Sequence, residues 1–137
     1  MNEMLKDLDQ YFNTITKVGF ALDLETIPDY FPLKEKVLNW EKAFWEKQVE
    51  QNKYSAFIDT TFALYKPFYP SFFNNLHYLD GIRIAGNYTS IHGGWYIDPE
   101  NYTDENLHYI RTVEQSSSWK LNEDGKHDNK GIAKYDT

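Results

Sequence analysis

The chain predicts an α+β fold, with N-terminal helices packed on one face of a C-terminal antiparallel sheet. Three observations lead there. Apolar residues recur at helical spacing over 3–18 and 33–52. Beyond Gly81, short β-branched and aromatic runs are separated by glycine and asparagine turn signals. Helices therefore come first and strands second, the order of segregated layers. With 137 residues the chain has one domain's length, and splitting it would leave each half a marginal core. It reads as a single domain over 1–137, with 1–66 mainly helical and 67–137 strand-rich.

In the first helix, Met4, Leu5, Leu8, Tyr11, Phe12, Ile15 and Val18 share one arc, about 140° wide at helical spacing. Glu3, Lys6, Asp7, Gln10, Asn13, Thr14 and Lys17 fill the opposite side. Gly19 is placed to stop the helix in the left-handed region. Phe20–Ile27 reads as a short strand or an extended connection, closed by Pro28 and Pro32. The second helix, 33–52, carries two stripes. Leu33, Val37, Trp40 and Phe44 face the common core, while Leu38, Trp45 and Val49 need cover of their own. A third element of the fold, a second subunit or a partner could supply it.

Residues 55–65 suit a helix through Phe57, Ile58, Phe62 and Tyr65, and a strand through Thr60-Thr61-Phe62. Pro67 and Pro70 interrupt the chain, and Ser71 caps an expected short helix carrying Phe72, Phe73, Leu76 and Leu79. Strands are expected at Ile82–Ile84, Tyr88–Ile91 and Trp95–Ile97, separated by Gly86-Asn87 and Gly93-Gly94. Leu107–Val113 reads as a strand, or as a helix started by Thr103. Trp119–Leu121 is expected to pair with Ile132–Tyr135, and 122–131 to be flexible.

Composition narrows the chemistry. The absence of cysteine excludes disulfides, a thiol nucleophile and thiolate metal ligands. The net charge of −7, with two arginines among fourteen cations, is the wrong equipment for broad phosphate binding, so no nucleic-acid partner is expected. No apolar run is long enough to span a bilayer and no signal sequence precedes the first helix, which reads as a cytoplasmic chain without a membrane partner. The Asn-Tyr-Thr triplets at Asn87 and Asn101 are then coincidental.

No catalytic motif is intact. His77, His92, His108 and His127 lack ligand spacing, so a metal would need distant residues such as His92, Asp98 and His108, and no metal or cofactor is expected. His92-Gly93-Gly94 has no accompanying nucleophile elbow, and Ser116-Ser117-Ser118 suits a loop or strand edge. No phosphate-binding glycine loop is present.

The distinctive segment is Tyr88–Tyr109, where aromatic rings, acids and amides mix. Tyrosine and tryptophan give contact area at low rotamer cost, and rim carboxylates steer basic partners. The expectation is a small acidic, non-enzymatic inhibitor or immunity-type protein that occludes a basic partner such as a nuclease toxin. Trp95, Tyr96 and Tyr102 would be anchors, with Asp98, Glu100 and Asp104 pairing to Lys or Arg. The alternative is a small enzyme or small-molecule binder with an aromatic-lined pocket between helices and sheet, using His77 or His92 as acid or base. Leu38, Trp45 and Val49 offer a third option, a homodimer interface.

Overall fold

The computed structural model describes residues 1–11, 14–58, 61–66, 81–113 and 119–127. Its architecture is α+β: helices accompany a five-stranded mixed sheet. The chain divides into two compact units, one comprising Met1–Asp23 and Glu41–Ile91, the other Leu24–Trp40 and His92–Thr137.

The first unit opens with helix α1 (Asn2–Gln10) and strand β1 (Lys17–Phe20). Later come β2 (Gln48–Glu50), β3 (Lys53–Ser55), β4 (Ala63–Tyr65) and β5 (Gly81–Ile84). The sheet order is β2-β3-β5-β1-β4. The central pair β1 and β5 is parallel, with Lys17 opposite Gly81 and Phe20 opposite Ile84, while the other pairings are antiparallel. Met4 and Leu8 of α1 pack with Ile15, Val18, Ile82 and Ile84, and Tyr11, Phe20 and Leu64 border this core.

The expected layering is therefore corrected. Helices do not precede an antiparallel sheet: four of its strands lie before residue 67, its centre is parallel, and a helix lies near the C-terminal end. Helix α1 stops at Gln10, short of the expected 18, because the β-branched Thr14-Ile15-Thr16 run leads into the strand between β4 and β5. Gly19 is not a helix cap. A Cβ there would meet the Phe62 carbonyl oxygen at 2.8 Å and Ile58 Cγ2 at 2.9 Å. Gly81, on the same face of the sheet, would meet Ile58 Cδ1 at 2.9 Å. The two glycines make room for Ile58, so the segment 56–58 lies directly on the sheet.

Helix α2 (Lys34–Lys42) is shorter than the expected 33–52. It tightens into a 3₁₀ turn over Ala43–Trp45, after which β2 and β3 form a hairpin. Asn52 turns that hairpin in the left-handed region, φ 59°, which asparagine tolerates better than most residues. Sheet pairing thus overrides the helical period of 33–52.

In the second unit, Ile27, Phe31, Leu33, Val37, Trp95, Ile97, Ile110 and Leu121 are buried. The strands expected at 88–91 and 95–97 are replaced by 3₁₀ turns at Gly86–Tyr88, in the first unit, and Gly93–Tyr96, in the second. Gly86, at φ 71°, breaks the extended run, leaving Ser90 bridged to Leu22. Of the two readings of 107–113, the helix is found: α3 spans Asp104–Thr112. Leu121 bridges to His127 across the 122–126 turn. The expected helix at 71–79, the strand at 132–135, Ser116-Ser117-Ser118 and His77 lie outside the described residues.

Candidate functional site

The expected site residues occupy three different environments. Trp95 is 1% exposed, its ring stacked on His92 at 4.5 Å. It offers no contact face in this conformation, so the residue with the most area to give a partner lies inside. Tyr96 is half-buried, and its hydroxyl lies 2.6 Å from Thr26 Oγ1. Tyr102 is also half-buried and donates its hydroxyl to the Asn122 carbonyl at 2.8 Å. Burial, reinforced by the charge of Asp124, pushes the Tyr102 phenol pKa up.

Asp98 organises its own turn. One oxygen accepts the Glu100 N–H at 2.9 Å, and the other accepts the Asn101 side-chain amide at 2.8 Å. These bonds, that of Asn101 first, hold its carboxyl below the usual range. Glu100 and Asp104 stand exposed.

The turn leads into α3 through a reciprocal cap. Thr103 Oγ1 accepts the Asn106 N–H at 3.1 Å, and Asn106 Oδ1 accepts the Thr103 N–H at 3.2 Å. Asp104 and Glu105 then fall in the first turn, where acids complement the helix dipole. Glu105 and Tyr109 are spaced i, i+4 and so share a helix face. Tyr109 is 41% exposed. Among the described residues, the carboxylates of Glu100, Asp104 and Glu105 have no internal hydrogen bond or ion pair, whereas Arg111 makes a bidentate pair with Glu123 at 2.9 and 3.0 Å. Glu105 and Tyr109 are exposed on one face of α3, and the Thr103 cap signal together with i, i+4 spacing is enough to find them in the sequence.

Leu38, Trp45 and Val49 do not form one helical stripe. Leu38 is on α2, Trp45 in the 3₁₀ turn and Val49 on β2. Trp45 packs against Tyr54 at 5.0 Å.

Charge inside the first unit escaped the sequence reading. Lys53 donates to Asp7 Oδ1 at 2.6 Å and pairs with Glu3 at 2.9 Å and Glu50 at 3.2 Å. Glu50 also accepts from the Tyr11 hydroxyl and the Gln10 amide, both at 2.7 Å. Burial alone would lower the Lys53 pKa, but its three carboxylate partners outweigh that and hold it above the usual lysine range. Burial raises the Asp7 pKa against the pull of Lys53, and Asp7 Oδ2 lies buried with no hydrogen-bond partner. Arg83 pairs with Glu41 at 2.7 Å, donates to the Phe57 carbonyl and stacks 4.4 Å from the Phe44 ring centre. Lys17 donates to the Ile58 carbonyl. A position at the edge of the apolar arc of α1, one turn before Tyr11, was the available signal for Asp7.

Among the described residues, no three His, Asp or Glu side chains converge as a metal site. Two open clefts in the first unit, about 340 and 370 Å³, contain no histidine. No helix among the described residues is long and apolar enough to cross a membrane. Compared with family models, curated proteins and solved structures, the chain matches none.

Proposed function

We propose that this chain is a small acidic protein-binding factor directed at a basic partner, acting by occlusion in the manner of an inhibitor or immunity protein. One observation carries the reading: the acid excess falls mainly on the second unit. The first unit's sequence holds nine acidic and seven basic residues, and the second's holds twelve acidic and seven basic. In the second unit, Glu100, Asp104 and Glu105 are exposed without internal partners on the segment that also presents Tyr109.

Carboxylates left in solvent keep their hydration and reach, so they steer a cationic partner and set its orientation. Tyr109 supplies an apolar body with a polar tip, suited to the middle of such a contact. Asp98 holds the turn that carries Glu100 by accepting from the Glu100 N–H and the Asn101 amide. The cationic cleft of a nuclease is a target of the required charge.

The test uses the wild type and the Glu100→Lys/Asp104→Lys/Glu105→Lys variant as baits for basic proteins of the native host, followed by association kinetics with whatever is retained. The expected result is a basic protein whose on-rate falls about tenfold or more with the variant. A partner captured equally fast by both baits would overturn the reading.

A further inference from the structure

The β2–β3 turn and the 3₁₀ turn at 86–88 flank an open cleft of about 340 Å³ in the first unit. We infer that this cleft is a binding site for a neutral saccharide of one or two rings. The proposal is independent of the protein-binding surface on the second unit.

The two walls are stitched together. The Ala85 N–H donates to the Asn52 carbonyl at 2.8 Å, fixing the hairpin turn against the segment leaving β5. Asn52 and Gly86 both occupy the left-handed region. A Cβ on residue 86 would stand 3.0 Å from Asn52 Nδ2, so the amide of Asn52 lies against the glycine backbone. Such a cleft is largely pre-formed, and its volume lies at the small-ligand end of the usual range, about 300–1,000 Å³.

Its lining matches a polyhydroxylated ring. Gln51, Asn52 and Asn87 contribute side-chain amides. Among the described residues none of the three amides is engaged in an internal side-chain hydrogen bond. A planar amide offers donor and acceptor side by side, which fits two adjacent sugar hydroxyls. Tyr88, 50% exposed, adds an aromatic ring held in place by Phe20, at 6.3 Å and 7° between planes. A fixed ring of this kind accepts the C–H face of a pyranose.

Charge selects against anions. Lys53, the cation lining the cleft, is already shared among Asp7, Glu3 and Glu50. Glu3, a carboxylate at neutral pH, also lines the cleft. A phosphate or carboxylate would therefore meet repulsion without a free cation to pair with.

Backbone amide NMR of the full chain, titrated with cellobiose, diacetylchitobiose and lactose, tests the assignment. At least one disaccharide is expected to shift the amides of 51–53 and 86–88 with millimolar affinity. Tyr88→Ala should weaken that binding tenfold or more, and Asn52→Gly, which keeps the backbone conformation while removing the amide, should also weaken it severalfold. The proposal is overturned if none of the three sugars shifts those amides. It is equally overturned if adenosine or glucose 6-phosphate shifts them more strongly than any of the sugars, or if folded Tyr88→Ala binds as the wild type does.

Discussion

Trp95 shows how differently one residue reads from sequence and from structure. Its neighbours made it the natural anchor of a binding face, yet a side chain 1% exposed acts through packing. Trp95→Ala is expected to cost about 3–5 kcal/mol in urea unfolding, the usual range for emptying a buried aromatic site. Binding measured under folding conditions should then report lost fold, not a lost contact. Arg83 and Glu41 make a second case, since a buried pair is costly to break from one side only. Glu41→Ala should lower stability by about 3–5 kcal/mol, and Glu41→Leu/Arg83→Met should lose less than Glu41→Ala alone. Neither residue announces its partner in the sequence. Arg83 finds a carboxylate, a ring and a loop carbonyl on elements far from it in sequence, and no local pattern encodes such meetings.

At the scale of elements, local signals were legible where the determinant was local. The Thr103 cap starts α3 as its residues suggest, and Ile82 and Ile84 lie in a strand. Thr103→Ala should cost about 1 kcal/mol, read from thermal or urea unfolding. The second helix failed because its later period, Trp45 and Val49, belongs to a turn and a strand whose pairing decides the outcome. The joint between α1 and the β2–β3 hairpin is ionic and therefore pH-sensitive. Glu3 and Glu50 have folded pKa values below the ordinary 4.5. Their contribution is thus fully present above 4.5 and is lost as pH falls through the lower folded values. Asp7, raised by burial, binds its proton more readily in the folded state than in the unfolded chain and opposes that trend. Lys53 is raised, so its contribution persists below the ordinary lysine value of 10.5 and fades only above it. Unfolding free energy measured from neutral to acid pH should fall in the wild type, and the fall should be shallower in Glu50→Gln.

For the whole molecule, composition gave the net charge but not its distribution. The second unit carries most of the acid excess, while in the first the buried cations Lys17, Lys53 and Arg83 share the interior with the buried acids Asp7 and Glu41. If the acidic face steers a basic partner, the association rate should fall steeply with added salt while dissociation changes little. The measurement is stopped-flow or biosensor kinetics at several ionic strengths. The alternation of residues in the chain could not show that β1 lies beside β5, since parallel neighbours leave no turn to mark them. That central pairing has a consequence during synthesis. The segment 17–20 is made before its partner and cannot complete its ladder until residue 84 has been added, on the order of several seconds later at about 5–20 residues per second. Until then one edge of β1 stands unpaired on a nascent chain, so newly made protein should depend on holding factors at the ribosome far more than the finished molecule does on refolding from dilute denaturant.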